Sequence, residues 1–361
     1  MSSEEDTVLV TGASGHLATH ITQQLLKDGY KVRGTVRSLK NEDKVKPLRN
    51  LCSGAKHPLE LVEADLTNPE SWLGAVKGCT YVIHTASPFP NKDPTHEDEL
   101  IKPAVEGTLS VLRACQAAGG VKRVVLTSSC GAISYGYTDY QGKVFTEKDW
   151  TVLDGPGVGA YIKSKVLAEK AAWDFVEKLP NGEKIELAVI NPSFILGPVL
   201  CGGLPTSMDI IAKLLNKEMP MLAQVSVGIC DVREVARAHI VAMKLPEAAG
   251  CRHIIATREL WFAELAQIMA KEFRPQGYKV PTLVAPKFLL RIVALFDPTV
   301  RLMLPQVGHK HEYDASRFRN VLGINPRPVE ETILDMCYDM IETGKIKKTP
   351  QYRPRDQAAE A

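Results

Sequence analysis

The chain of 361 residues carries a formal net charge of +2, with 45 % hydrophobic and 24 % charged residues. These values exclude a disordered or fibrous protein and leave room for one large core or a core with a smaller lobe. Lys and Arg are dispersed, with no basic run interleaved by aromatics, which speaks against a nucleic-acid partner.

The opening MSSEED is polar and acidic, without an apolar signal core or an Arg-rich transit pattern. The longest apolar stretch, 288–296, contains Arg291 and is too short to span a bilayer. A cytoplasmic protein with no membrane partner is expected, either monomer or homodimer. The eight cysteines are scattered with no C-x-x-C pair, so reduced thiols are expected rather than a disulfide framework or a metal site.

In chain order, the first element is the β-branched run TVLVT at 7–11, which breaks into GASGHLA before a helical pattern takes over up to Gly29. Gly12 and Gly15 tolerate positive φ and let the backbone approach a ligand with no Cβ in the way. The helix that follows aims its free N–H groups and positive dipole end over this turn, which suits the pyrophosphate of a dinucleotide. The next strand, at 31–36, runs into KVRGTVRS. An acid there serves the ribose 2′-hydroxyl of NAD, whereas an arginine accommodates a 2′-phosphate. Val36 stands at the acidic position and Arg37 follows, with Ser38, Lys40 and Lys44 nearby, so NADP is favoured.

Further strands are expected at 59–63, 81–85, 123–128 and 185–191. Asp65 follows the third, where its carboxylate either meets an adenine amino group or caps the helix whose first turn holds Pro69 and Glu70. The fourth ends HTASP, whose small Ala86 and Ser87 let the backbone pass close to a nicotinamide ribose while His84 packs within the strand. The fifth ends LTSSCG and places Ser129, with Ser128 beside it, where a hydroxyl can hold a carbonyl. Six strands with helices between them mean a parallel sheet with right-handed crossovers. This is a Rossmann-type doubly wound α/β fold that binds ligands beyond the carboxyl ends of its strands. Residues 1–195 form the dinucleotide-binding domain, with 226–250 packing back on it; 196–225 and 251–345 form a smaller C-terminal substrate lobe, and 346–361 a frayed tail. Helices are expected at 232–245 and 261–273, and a proline-interrupted apolar helical region at 281–303.

Tyr161 and Lys165 open the helix YIKSKVLAEKAAWDF. Residues four apart share a helix face with Cβ atoms about 5–6 Å apart, so phenol and ammonium converge on one site. A positive charge about 5 Å from the phenol, at an effective dielectric near 20, is worth roughly 3 kcal/mol, or about two pKa units. Lys165 is thereby expected to bring Tyr161 toward the range of efficient acid–base catalysis.

TGASGHLA, the Asp65, Leu66 pair, TAS at 85–87, TSS at 127–129, YIKSK and NPSFILGP together resemble the extended short-chain dehydrogenase/reductases. The pattern is most similar to the branch of dihydroflavonol 4-reductases and cinnamoyl-CoA reductases, and the resemblance covers most of the chain. It implies that Gly12, Ser14, Gly15, His16 and Leu17 surround the pyrophosphate and that Arg37 and Lys44 hold the 2′-phosphate. It assigns Asp65 and Leu66 to adenine, and Thr85, Ala86 and Ser87 to the ribose. Pro192 and Ile195 fall to the nicotinamide end, and Ser207 to a late cofactor contact. Ser129, Tyr161 and Lys165 match the family's catalytic triad, the last two also touching cofactor. DVREVARAHI resembles the helix by which this family returns to the first lobe.

Two features depart from the branch. Ser134 stands where the flavonoid reductases carry an asparagine, and the N-W-Y-C-Y signature of the cinnamoyl-CoA reductases is missing from GVGAYIKSK. The resemblance thus implies an NADPH-dependent reductase of a small aldehyde or ketone, with Phe89, Ser134, Tyr135, Ile195 and Met208 near the substrate. The alternatives are a hydroxysteroid or other secondary-alcohol dehydrogenase, a sugar-nucleotide epimerase, and a non-catalytic NADP-binding sensor. The retained serine, tyrosine and lysine weigh against the last.

Overall fold

The computed structural model describes residues 6–88, 96–180, 182–201 and 206–355. The first half runs β1 (Thr7–Thr11), α1 (His16–Lys27), β2 (Lys31–Val36), α2 (Glu42–Arg49), β3 (Glu60–Glu63), α3 (Ser71–Val76), β4 (Tyr81–His84), α4 (Asp98–Ala118), β5 (Arg123–Thr127), β6 (Val144–Phe145) and α5 (Ala160–Glu177). The second runs β7 (Glu186–Pro192), β8 (Phe194–Leu196), α6 (Thr206–Leu215), β9 (Ser226–Asp231), α7 (Val232–Lys244), β10 (Arg252–Ile255), β11 (Arg258–Trp261) and α8 (Phe262–Phe273). It ends with α9 (Lys287–Val293), α10 (Pro298–Met303), β12 (Glu312–Tyr313), α11 (Ser316–Asn320) and α12 (Val329–Glu342).

Seven parallel strands form the main sheet in the order β10-β7-β5-β4-β1-β2-β3. Its central strands are near-continuous apolar runs because helices cover both faces. Ile21 and Leu25 of α1 and Val235 and Ile240 of α7 pack on one face; Trp72, Val111, Leu112 and Ala172 of α3, α4 and α5 pack on the other. After β3 the chain returns to the far side of β1 to form β4, so the strand order reverses between β1 and β4. A crevice opens there at the carboxyl ends. On β2, a Cβ at Gly34 would lie 2.8 Å from that of Ala13, so this glycine lets the first turn seat against the sheet.

The second lobe has its own three-stranded sheet, β11-β9-β8, and a separate core in which Ile211, Leu265, Phe273, Ile333 and Met336 are fully buried. Two expectations need correcting. Residues 252–255 are not part of this lobe, because β10 pairs in parallel with β7 and closes the main sheet. The tail is not frayed through 355: Ile346 is buried in the second core, Tyr352 packs against it, and the Thr349 hydroxyl donates to the Gln276 carbonyl. Among the described residues no helix is long and apolar enough to cross a membrane.

Candidate active site

The first turn is built for close approach. Gly12 has φ +65, and a Cβ on it would meet the Ala86 Cβ at 3.2 Å. Its N–H donates to Thr35 Oγ1 at 2.9 Å, and the Gly15 N–H to the Gly12 carbonyl at 2.8 Å. Gly15 then caps α1, whose first turn carries no acid to compete with an anion. Thr11 ties β1 to β4: its Oγ1 accepts the N–H groups of Thr85 and Ala86 at 3.1 and 3.0 Å and lies 2.8 Å from His84 Nδ1. Burial holds the His84 imidazole neutral, its pKa pushed down to about 3. These residues fit a pyrophosphate, with a side-chain-free cradle at the mouth of the crevice and the orphan N–H groups of α1 beneath it.

Some expected contacts are turned elsewhere. The His16 and His20 Nε2 atoms both donate to the Pro198 carbonyl, at 3.1 and 2.8 Å, and burial lowers both pKa values. The His16 ring therefore clamps the second lobe, and a phosphate can meet only its N–H; the same holds for Leu17, whose side chain lies in the core. Ser14 is half-buried within the turn. Thr85 donates its hydroxyl to the Thr11 carbonyl at 2.5 Å, leaving its backbone to face a ribose.

Arg37 is exposed at the end of β2, and Lys44 is half-buried in the first turn of α2. Asp65 Oδ1 accepts the Thr67 N–H and hydroxyl at 2.8 and 2.7 Å, and these bonds, aided by the charge of Arg37, hold its pKa below the ordinary value. Asp65 therefore closes its own turn. It does not cap α3, which begins only at Ser71. Leu66 packs on Gly107, where a Cβ would lie 2.9 Å from it. Pro192 ends β7 buried, half-buried Ile195 pairs with Cys230 on β9, and Ser207 is buried on α6.

Ser129, Tyr161 and Lys165 come together over the end of β5. Ser129 Oγ accepts the Gly131 N–H at 3.0 Å, which leaves its proton for another acceptor, and it meets the Tyr161 hydroxyl. Tyr161 keeps 41 % of its surface open, yet its hydroxyl end is desolvated in the crevice, and this raises the phenol's pKa above 10 against the lowering effect of Ser129. Lys165 Nζ donates to Ser87 Oγ at 3.0 Å and lies 5.8 Å from the Tyr161 ring centroid. Burial pushes it down to about 8, opposed by the charge of Glu169. The expected lowering of Tyr161 by Lys165 is thus not found. The ammonium is engaged by Ser87, and desolvation acts on the phenol more strongly than any charge.

Below this trio lies a network that sequence reasoning missed. Glu169, 1 % exposed, pairs with Arg252 of β10 at 2.6 Å and accepts from Ser128 Oγ at 2.5 Å, Asn191 Nδ2 at 2.9 Å and Trp173 Nε1 at 3.3 Å. Ser128 therefore faces away from any substrate. Glu169 sits four residues past Lys165, so the helical spacing that paired Tyr161 with Lys165 pointed to it as well. A cavity of about 20 Å³ is lined by Lys165, Glu169, Ser128 and Thr108.

Among the substrate candidates, Ser134 is fully buried, its hydroxyl 2.8 Å from Tyr313 OH and 3.1 Å from His311 Nδ1. It is spent on holding the 311–313 segment and does not face a substrate. Met208, 1 % exposed, belongs to the second core for the same reason that its helix exists, its apolar face being turned inward. Tyr135 sits edge-on to His311, with ring centroids 5.0 Å apart, in the neighbourhood of Tyr161. Phe89 lies outside the described residues.

A glycine cradle at the topological switch point, with serine, tyrosine and lysine converging at a neighbouring strand end, defines a dinucleotide-dependent oxidoreductase site. The sequence model of the NAD dependent epimerase/dehydratase family matches residues 8–256. The chain belongs to this family, in the branch of the dihydroflavonol and cinnamoyl-CoA reductases. Tetraketide alpha-pyrone reductase 1 of Arabidopsis thaliana is 35 % identical over 350 residues, covering 96 % of this chain and 98 % of the relative. Dihydroflavonol 4-reductase of Zea mays is 37 % identical over 290 residues, covering 78 % of this chain and 77 % of the relative. The yeast methylglyoxal/isovaleraldehyde reductase Gre2, solved with NADPH, superposes with a TM-score of 0.77 at 28 % identity, over 94 % of this chain and 99 % of that one.

Proposed function

We propose that the protein is an NADPH-dependent carbonyl reductase that converts a small aldehyde or ketone to its alcohol. The observation that carries this reading is the convergence of Ser129, Tyr161 and Lys165 beside the glycine cradle. When bound, NADPH supplies the hydride. Ser129, its oxygen already accepting from Gly131, donates to the carbonyl oxygen. Tyr161 donates beside it and gives up its proton as the oxygen gains charge, which yields the alcohol. Lys165, fixed through Ser87, supplies positive charge at the ribose side of the crevice. Arg37 receives the 2′-phosphate, and the relatives' reductase names and the NADPH of the Gre2 structure support this choice.

Consumption of NADPH, followed by nicotinamide absorbance against aromatic aldehydes, aliphatic aldehydes, α-keto compounds and ketosteroids, tests the reading. Turnover of at least one class is expected, and none with any class overturns it. Arg37→Ala is expected to weaken NADPH about tenfold or more, through loss of a charge-assisted contact, while leaving NADH nearly unchanged. Equal weakening would make Arg37 a plain surface charge.

The pH dependence has a definite sign. Lys165, pushed down to about 8, is charged below that pH and neutral above it, whereas the phenol, raised above 10, stays protonated throughout. For carbonyl reduction, kcat/KM is therefore expected to hold through neutrality and fall as pH rises past about 8. A profile that rises there would show that Lys165 works uncharged.

A further inference from the structure

The described chain carries one concentrated apolar surface, and it lies outside the reaction site. On α9, Phe288 and Ile292 are 65 % and 51 % exposed, and Leu295 follows at i+7 at 69 %. Phe296 stands at 84 %, with Leu283 before the helix and Leu302 on α10 also exposed. These residues were not left out for want of a core, because Leu290 on the opposite side of α9, and Ala294 just past its end, are buried. Exposed patches of this kind mark contact surfaces. The expectation of no membrane partner rested only on the length of 288–296, which decides whether a segment spans a bilayer and says nothing about whether it lies on one.

We propose that this face docks onto an anionic lipid surface. The charges around it favour that occupant. Lys287, Arg291 and Arg301 are exposed along the same segment. Its single acid, Asp297, is turned into the N-terminus of α10, where Oδ1 accepts the N–H groups of Thr299 and Val300 at 2.8 and 3.2 Å. Arg301 Nε is held against the Ala294 carbonyl at 2.9 Å, which fixes a cation where α9 ends among the apolar side chains. Aromatic and aliphatic side chains bordered by cations match the acyl and headgroup layers of an anionic leaflet. A twofold contact with a second copy would instead set these cations against their own equivalents. The patch reaches the rim of the reaction site, since Leu302 packs on Gly159, where a Cβ would lie 2.6 Å from it, two residues before Tyr161. Docking thus sets the N-terminal end of α5, which bears Tyr161, beside the bilayer.

Flotation with phosphatidylcholine vesicles, with and without phosphatidylserine, reads the proposal without any substrate. The protein is expected to float with the anionic vesicles and to be released by salt. Because Phe288 and Phe296 lie outside the core, the double variant Phe288→Asp with Phe296→Asp keeps the fold and basal turnover and lowers binding about tenfold or more. Arg291→Glu removes the preference for phosphatidylserine. The proposal is overturned if the protein fails to float with either vesicle, if the double variant binds as the parent does, or if the chain elutes as a dimer that Phe296→Asp splits.

Discussion

Tyr161→Phe is expected to lower kcat by about 10²–10⁴-fold, the usual worth of a positioned general acid, while dinucleotide affinity stays within a few-fold. The substitution removes only the hydroxyl. The ring keeps its place against Lys165, and Ser129 keeps its bond from Gly131 and its free proton. The carbonyl can still be held, but no proton waits at its oxygen. Because burial raises the phenol above its ordinary value, the enzyme carries this proton through neutral pH. The loss should therefore appear in kcat across neutral pH, and titration of NADPH with the variant separates it from a binding defect. Near-parental turnover would remove Tyr161 from the chemistry.

Arg252→Met is expected to cost about 3–5 kcal/mol of folding free energy, the price of an uncompensated buried charge. Arg252 links three parts of the molecule. It pairs with Glu169 on the helix that bears Tyr161, donates to the Glu147 and Asp149 carbonyls at 3.0 and 2.6 Å, and stacks over Trp150 at 3.9 Å. Without it, Glu169 retains neutral donors from Ser128, Asn191 and Trp173 but no positive partner in contact. Against a total stability of about 5–15 kcal/mol, the urea midpoint should fall steeply. Adding Glu169→Gln should restore much of the loss, because the stranded charge goes with it. A midpoint unchanged by Arg252→Met would mean that the pair is dispensable.

The main sheet was legible because its central strands are buried on both faces and read as near-continuous apolar runs; β1 and β2 fall where the sequence placed them, and β3, β4, β5 and β7 shift by a residue at their ends. β10 was not legible. It is four residues long and carries buried Arg252 and His253, and the polarity of Arg252 is tolerated because Glu169 meets it from a helix 83 residues away. The site divides in the same way. Ser129, Tyr161 and Lys165 follow from a strand end and one helical step, both local signals. Ser134 and Met208 were misplaced because nothing local tells a loop serine that His311 waits for it, or a helical methionine which side of α6 turns inward. The missing step was Glu169: helical spacing put it beneath Lys165, but its role depends on a partner 83 residues away.

The most direct test of carbonyl reduction at this site is a single turnover with NADPH deuterated at the transferred position of the nicotinamide and a carbonyl compound the enzyme accepts. The alcohol should carry one deuterium on its carbinol carbon, with the hydroxyl proton drawn from the protein and solvent. An alcohol without deuterium, or oxidised NADP formed with no alcohol, would contradict hydride delivery to a carbonyl held by Ser129 and Tyr161.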